Sequence, residues 1–218
     1  MIKAVMFDFD GTLLNRDASV RKFISNQYDR LLDCFIHVPK INYINRFIEL
    51  ENRGYVWKDK VFHQLVEELK ITNLTWQELL EDYIEYFQCC CVPFPHLTET
   101  LDTLKSKKIK YGRTVFQKRN IDALKISHYF DQIIISEAAG IKKPDPQIFK
   151  LALDHLQVMP SESIYVGDHP VNDIEAAQGY GLIGIWKKDN YWGNPDTDYV
   201  IEDLCEIIDI MKEKETFE

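Results

Sequence analysis

The sequence lacks several features that would place the protein in particular functional classes. Its formal net charge is -9, so it has no excess of basic residues of the kind that a surface wrapping nucleic acid requires. No apolar segment reaches membrane-spanning length, and Asp8 and Asp10 lie where a signal peptide would need its apolar centre. We therefore expect a cytoplasmic protein with neither nucleic-acid nor membrane partners. The oligomeric state stays open at this point.

Cysteine is also sparse, and its spacing does not fit a metal site. The five cysteines are Cys34, Cys89, Cys90, Cys91 and Cys205. The run of three has neither the paired spacing of a zinc site nor a group of histidines nearby. We expect reduced, partly buried thiols that only pack, with residues 89–91 the most open to oxidation if they are exposed.

The pattern along the chain predicts two kinds of structure. The 218 residues suffice for a core domain that carries an inserted subdomain. Helical stripes of apolar residues follow Leu14, and Thr75 to Glu78 form a capping-box signature for a helix that ends near Phe87. From Ile133 onward, short apolar strands alternate with helices. This alternation predicts an α/β fold with a doubly wound parallel sheet, formed by residues 1–14 and 93–218. Residues 15–92 then form an inserted α-helical cap.

The most informative segment is the end of the first predicted strand. An apolar run from Ile2 to Phe7 leads directly into Asp8 and Asp10. Because side chains alternate along a strand, both carboxylates can point to the same side. Paired acids at the carboxyl end of a parallel strand lie where open α/β sheets bind ligands. A hard cation together with an anionic substrate is the expected occupant.

Three segments occur in a characteristic order, and each begins at or just after the end of a predicted strand. They are Asp8–Leu13 (DFDGTL), Lys142–Pro146 (KKPDP) and Val166–Asp173 (VGDHPVND). This set resembles the haloacid dehalogenase superfamily, in its branch of cytosolic phosphatases with a helical, C1-type cap. The resemblance covers nearly the whole chain. It implies a Rossmann-like core and Mg²⁺-dependent hydrolysis of a small-molecule phosphate ester.

The resemblance also implies a role for each matching residue. Asp8 would be the nucleophile that forms an aspartyl-phosphate, and Asp10 would be the general acid and base. Asp168 would hold Mg²⁺ together with Asp8 and the backbone carbonyl of Asp10. Lys143 would place a positive charge on the phosphoryl oxygens, and Asp173 would orient Lys143.

Each of these positions also has a purely structural interpretation. Asp8 and Asp10 could form a simple turn with Gly11 at the strand exit. Lys143 could be a solvated loop lysine. Asp173 could cap the helix that follows, a role that is compatible with orienting Lys143.

The second motif of the superfamily departs from the pattern. An apolar strand ending in Thr or Ser is expected at residues 108–115, but this segment contains two lysines, a glycine and an arginine. A shortening of the chain at this junction is the simplest explanation. Either the strand shifts so that Thr114 supplies the phosphate-binding hydroxyl, or this contact is lost, which predicts weak turnover.

Several residues of the helical insertion are candidates for substrate contacts. They are Arg46, Arg53, Tyr55, Trp57 and Lys58. For the aromatic members, packing in the core of the insertion is the more common role. An insertion rich in aromatic residues is compatible with a nucleoside monophosphate as the substrate, and this branch of the superfamily includes nucleotidases.

The function therefore has a leading hypothesis and alternatives. The first is a phosphomonoester hydrolase, with the cap closing to exclude water. The second is a phosphatase-like binding or regulatory protein that has lost turnover through the altered second motif. A carbon–halogen hydrolase is the third, but Asp10 and Asp168 count against it because that chemistry needs neither Mg²⁺ nor an acid. A phospho-accepting receiver domain would have no room for the helical insertion.

Overall fold

The computed structural model describes residues 1–106, 116–132, 141 and 143–216. These residues form two compact units, an α/β unit of Met1–Asn15 with Pro93–Glu218 and a helical unit of Arg16–Val92. The predicted strand at 133–136 and the second-motif segment at 108–115 lie outside the described residues. No helix within the described ranges is long and apolar enough to cross a membrane.

The helical unit consists of four α-helices joined by short turns. They are α1 Arg16–Arg30, α2 Lys40–Glu51, α3 Lys58–Glu68 and α4 Trp76–Tyr86, with 3₁₀ turns at Leu32–Cys34, Asn52–Gly54 and Phe87–Cys90. The predicted capping box opens α4. The Glu78 carboxylate accepts the Thr75 N–H at 2.8 Å, and the Glu78 N–H donates to the Thr75 hydroxyl at 3.3 Å.

The core of the helical unit is aromatic and contains one satisfied polar group. Its fully buried rings include Phe23, Phe35, Tyr43, Phe47 and Phe62. Gln27 is also fully buried, and its amide donates to the Leu79 carbonyl and the Asp82 carboxylate while its oxygen accepts from the Tyr43 hydroxyl. Because a buried amide without partners would destabilise the fold, these three bonds allow Gln27 to sit among the rings.

In the part of the chain that the structure describes, the α/β unit is built on a four-stranded parallel sheet. Its strands are β1 Ala4–Phe7, β2 Ser163–Gly167, β3 Ile183–Lys187 and β4 Val200–Ile201, in the spatial order β1-β2-β3-β4. Every residue of β1 and β2 is buried, as expected for parallel strands covered on both faces. The structure confirms the predicted α/β fold class.

Helices and short turns complete the described part of the α/β unit. They are α5 Leu97–Ser106, α6 Phe116–Ala123, α7 Gln147–Leu156, α8 Ala176–Gly179 and α9 Glu206–Thr216, with a π-helix at Pro170–Glu175 and 3₁₀ turns at Ser127–Tyr129 and Pro160–Glu162. Phe149, Leu153 and Leu156 of α7 pack with Met6 of β1 and Tyr165 of β2. This packing anchors the two strands whose carboxyl ends carry the acidic residues.

Candidate active site

The backbone turns sharply where β1 ends. The Asp8 N–H donates to the Val166 carbonyl at 2.7 Å, which extends the pairing of β1 with β2 by one residue. The Phe9 carbonyl then accepts the N–H groups of Thr12, Leu13 and Leu14. Gly11 has a φ of +85°, a left-handed conformation that favours glycine. The turn thus leaves Asp8 at the carboxyl edge of the sheet.

Three of the predicted acidic residues come together at this edge. Carboxylate oxygens of Asp8, Asp168 and Asp173 lie within 4.8 Å of one another. Asp8 follows β1 and Asp168 follows β2, the adjacent parallel strand, so their convergence is a direct result of the sheet topology.

Lys143 lies among these carboxylates. Its Nζ donates to Asp8 Oδ1 at 2.5 Å, to the Tyr165 hydroxyl at 3.0 Å and to Asp173 Oδ1. The interpretation of Lys143 as a solvated loop lysine is therefore wrong, because the amine is fixed by three partners. Tyr165 was not singled out in the sequence. Because Tyr165 lies inside β2, its sequence context predicts a buried aromatic residue and nothing about a contact with Lys143.

Asp168 is enclosed by its neighbours. Its backbone carbonyl accepts the Trp186 indole N–H at 2.8 Å, and the Thr12 hydroxyl lies 3.5 Å from its Oδ1. A Cβ on Gly11 would approach Asp168 Oδ2 to 2.4 Å. The glycine therefore serves two needs at once, the left-handed turn and the close approach of the carboxylate.

Asp173 is held by the loop that follows β2. It lies inside the π-helix Pro170–Glu175, and His169 is the N-cap, whose ring accepts the N–H groups of Val171 and Asn172. The interpretation of Asp173 as the helix cap is thus wrong. Its Oδ2 accepts the His169 N–H at 3.0 Å, which leaves Oδ1 to receive Lys143.

Burial and the neighbouring charges shift the pKa values of Asp168 and Asp173. Burial, followed by the charges of Asp8 and Asp173, raises the pKa of Asp168 to about 8, and Lys143 opposes this rise. Burial likewise raises the pKa of Asp173 against the effect of Lys143. Three ionised carboxylates around one lysine would leave uncompensated negative charge in a poorly solvated place. A divalent cation is the natural counter-charge.

The donor set fits Mg²⁺. Carboxylate oxygens are the ligands that this ion prefers, and Asp8 and Asp168 present them from two rigid strands. Asp173 is engaged by Lys143 and by the His169 N–H, so it is better placed to hold the lysine than to bind metal. We infer that Asp8 and Asp168 would hold the ion.

Asp10 is not a member of this group of three carboxylates. Asp10 is half-buried two residues beyond Asp8, where its backbone bridges to Leu14. Among the described residues, the group of three carboxylates within 4.8 Å of one another consists of Asp8, Asp168 and Asp173. The metal-binding role of Asp10 belongs to its backbone carbonyl and stays a prediction. Thr114 lies outside the described residues.

The candidate substrate-contact residues of the helical unit differ in their surroundings. Arg46 pairs with Glu49 and Glu68, and Lys58 pairs with the buried carboxylate of Glu51 at 3.0 Å. Tyr55 and Trp57 are 57% and 75% exposed. The core-packing interpretation of these two aromatic residues is therefore wrong.

Replacing Gly167 with alanine is expected to reduce catalytic efficiency roughly 10²-fold, because about 1 Å of misplacement at a site has effects of this size. A Cβ on this glycine would come within 2.4 Å of Asp173, which would push the Asp173 carboxylate away from Lys143. Steady-state kinetics on a phosphate ester measure the effect. Gly193→Ala is the matched control, since nothing lies within 4 Å of its added Cβ. Equal rates for the two variants would contradict the assigned role of Asp173.

The chain belongs to the haloacid dehalogenase-like hydrolase family, whose sequence model matches residues 5–186. The helical unit, inserted between β1 and the rest of the α/β unit, is consistent with the C1-type subfamily. The resemblance stated from the sequence is confirmed.

Curated relatives and solved structures extend this result over nearly the whole chain. A glyceraldehyde 3-phosphate phosphatase of Methanocaldococcus jannaschii is 29% identical over 97% of this chain and 98% of its own length. A phosphoglycolate phosphatase of Aquifex aeolicus is 29% identical over 85% of each chain. The crystal structure of a phosphatase of this superfamily from Thermococcus onnurineus is 27% identical, with a TM-score of 0.67 over 96% of this chain and 98% of the other.

The exposure of the cysteines differs in part from the prediction. All five are reduced thiols, as predicted, but Cys89 and Cys205 are exposed rather than partly buried. Cys89 lies in the 3₁₀ turn Phe87–Cys90, where Cys90 takes the buried position. Cys205 lies beside His96 and Asp203, a grouping hidden in the sequence because His96 is 107 positions from Asp203.

Proposed function

We propose that this protein is a Mg²⁺-dependent phosphatase of small phosphomonoesters that uses Asp8 as its nucleophile. The observation that carries the proposal is the contact of Lys143 Nζ with both Asp8 and Asp173, beside the carboxylate of Asp168. A cation fixed against a carboxylate at the edge of a parallel sheet provides both a nucleophile and a binding charge for a phosphoryl group.

In the first step, an Asp8 carboxylate oxygen attacks phosphorus and the bond to the leaving oxygen breaks. Asp10 donates a proton to that oxygen, so the alcohol departs as a neutral molecule. In the second step, water attacks the aspartyl-phosphate while Asp10 accepts its proton. Inorganic phosphate leaves and Asp8 is restored. The positions that support these roles are Asp8 at the end of β1 and Asp10 in the turn that follows.

Lys143 acts on the oxygens of the phosphoryl group. Its Nζ already contacts Asp8, so a phosphoryl group on Asp8 would come within reach of the same amine. Asp173 and the Tyr165 hydroxyl hold the amine in place. Since these contacts exist before substrate binds, the charge needs little reorganisation during reaction.

Mg²⁺, when held by Asp8 and Asp168, would supply positive charge to neutralise the transferring phosphoryl group. Burial and the charges of Asp8 and Asp173 raise the pKa of Asp168, so a cation held beside it would favour its ionised form. Gly11 and Thr12 pack closely against the Asp168 carboxylate and keep it directed at the site.

The substrate is proposed from the relatives. They are named as phosphatases of glyceraldehyde 3-phosphate and phosphoglycolate, and a putative pyrophosphatase of Clostridium perfringens is also 29% identical. We therefore propose a small metabolite phosphate rather than a nucleic acid, with nucleoside monophosphates as a further class to test. The five reduced cysteines support a reducing, cytoplasmic setting.

A second candidate is a protein that binds phosphate esters without turning them over. The residues of segment 108–115 favour it, because their polar character departs from the family's phosphate-binding strand. Thr114 is the residue we propose to replace the missing hydroxyl if turnover is retained. If the protein is a phosphatase, Thr114→Val should lower its rate of phosphate-ester hydrolysis. If it only binds phosphate esters, the unmodified protein should show no hydrolysis.

A panel of phosphomonoesters tests the proposal. The panel contains glyceraldehyde 3-phosphate, phosphoglycolate, a nucleoside monophosphate and an aryl phosphate, each with Mg²⁺ and with chelator. We expect phosphate release that requires the metal and disappears in Asp8→Asn. Binding without release would favour the second candidate, and phosphate release that survives chelation would contradict the role proposed for Mg²⁺.

The effect of Mg²⁺ on stability is expected to grow with pH. The pKa of Asp168 is about 8 in the folded chain and about 3.9 in an unfolded one, so the metal-free protein loses stability as pH rises between these values. Bound Mg²⁺ removes this penalty because it favours the ionised carboxylate. Thermal melts across this pH range, with and without Mg²⁺, measure the difference.

The control for these melts is Asp168→Asn, which removes the titrating group. Its melting temperature should respond weakly to Mg²⁺ at every pH. An Mg²⁺-induced shift that is the same at acidic and alkaline pH in the unmodified protein would contradict the assignment of Asp168 as a metal ligand.

A further inference from the structure

A second group of metal-ligating side chains lies on the α/β unit. His96 immediately precedes α5, and Asp203 and Cys205 lie between β4 and α9. Their ligand atoms all fall within 4.8 Å of one another. We propose that His96, Asp203 and Cys205 form a binding site for a thiophilic divalent transition-metal ion such as Zn²⁺.

The chemistry of the three groups selects the metal. Imidazole, carboxylate and thiolate are the ligands of zinc sites, and three protein ligands leave one position for water. Mg²⁺ prefers oxygen ligands and gains little from sulfur or nitrogen. The group therefore differs in kind from the all-carboxylate cluster around Asp8 and should prefer a softer ion than Mg²⁺.

The backbone presents the three groups from fixed positions. Asp203 Oδ1 accepts the Cys205 N–H at 2.9 Å, while Oδ2 lies 2.8 Å from His96 Nδ1. Glu206 Oε1 accepts the Asp203 N–H at 2.6 Å, and helices α5 and α9 pack together. The two segments that carry the ligands are thus held beside each other before any ion binds.

The exposed positions allow the small adjustment that an ion needs. His96 and Cys205 are exposed, and Asp203 is half-buried. Ligand atoms of a tetrahedral zinc ion are separated by about 3.3 Å, so His96 and Asp203 must move apart slightly as the ion replaces the proton between them. Solvent-exposed side chains can make this shift without repacking the core.

The surrounding charge also favours a cation. Glu99 acts electrostatically on His96, and Glu206 acts on Cys205. Lys187 is an opposing charge near Asp203, and its amine is buried over the face of Phe94 at 4.1 Å from the ring centre. Among these described residues, the carboxylates of Glu99, Glu206 and Asp203 together carry more charge than the Lys187 amine.

Cobalt provides the test because it replaces zinc and reports its ligands in absorption spectra. The untagged full-length protein, first treated with chelator, is titrated with Co²⁺ in the presence of excess Mg²⁺, which occupies the carboxylate site. We expect a thiolate-to-cobalt band in the near ultraviolet and visible bands of a tetrahedral ion, both removed by added Zn²⁺.

Variants assign these bands to the three residues. Cys205→Ser should abolish the thiolate band, and Cys89→Ser, which changes another exposed cysteine, should keep it. His96→Asn should weaken Co²⁺ binding at least about tenfold, since loss of a group that merely supports a metal ligand already has this effect. Asparagine suits the φ of +55° at this position, so the backbone is preserved.

The outcomes separate this proposal from the hydrolase proposal. Asp8→Asn should lose phosphatase activity and keep the cobalt spectrum, because none of the three ligands belongs to the Asp8 site. Absence of a thiolate band in the unmodified protein would overturn the metal site, and so would a band that persists in Cys205→Ser. In that case His96 and Asp203 form only a hydrogen-bonded pair between the starts of α5 and α9.

Discussion

Asp8→Asn is expected to lower kcat by about 10⁴-fold or more, the size of effect seen when a nucleophile is removed from an enzyme. Asparagine has nearly the same shape as aspartate but cannot form the acyl-phosphate. It can still accept the hydrogen bond from Lys143, so the loss is chemical rather than structural. Initial rates on an aryl phosphate, with circular dichroism to verify folding, measure the effect.

Asp10→Asn is the informative partner variant for this experiment. It removes the proposed acid and base but leaves the nucleophile, so an aryl phosphate, which has a good leaving group, should still phosphorylate Asp8. The phosphoenzyme then accumulates because water is no longer activated. Turnover by Asp8→Asn at a rate comparable to that of the unmodified protein would contradict the proposed nucleophile.

Lys143→Met is the second change with a large expected effect, a fall of roughly 10²- to 10³-fold in kcat/KM. Methionine fills similar volume but provides no charge for the phosphoryl oxygens. It also removes the hydrogen-bond donor shared by Asp8 and Asp173. Kinetics on the aryl phosphate at saturating Mg²⁺ give the fold-change.

The same substitution should alter stability in a metal-dependent manner. Without Lys143, the carboxylates of Asp8, Asp168 and Asp173 lack their nearby cation, so the metal-free variant should melt at a lower temperature. Mg²⁺ should recover much of this loss, since it supplies the missing charge. Lys150→Met is the matched control, because Lys150 is exposed on α7 and pairs with Asp154. An unchanged kcat/KM in Lys143→Met would contradict the role of the lysine.

Much of the fold could be predicted from local patterns. The apolar run before Asp8 indicated β1, and the Thr75 capping box indicated the start of α4. These signals are local because a buried strand and a helix N-terminus are each recognised from a pattern of a few consecutive residues. The convergence of Asp8 and Asp168 followed from parallel pairing, which places the ends of adjacent strands at one edge.

The remaining features depend on contacts between distant parts of the chain. Gly167 looks like an ordinary strand residue until the close approach of Asp173 is seen. Trp186 reads as an apolar strand residue, although its indole N–H supports the backbone of Asp168. His96 and Cys205 have no shared motif, since their proximity results from how α5 packs with α9. Periodicity carries no information about such pairs.

The most direct measurement is the chemical trapping of the phosphorylated residue. The enzyme is mixed with an aryl phosphate and Mg²⁺, quenched during turnover and reduced with borohydride, which converts an aspartyl-phosphate to homoserine. Mass spectrometry of the peptide that contains the first strand then locates the change. We predict homoserine at position 8, and none in Asp8→Asn. Full phosphatase activity with an unmodified aspartate at position 8 in the trapped protein would contradict the proposed mechanism.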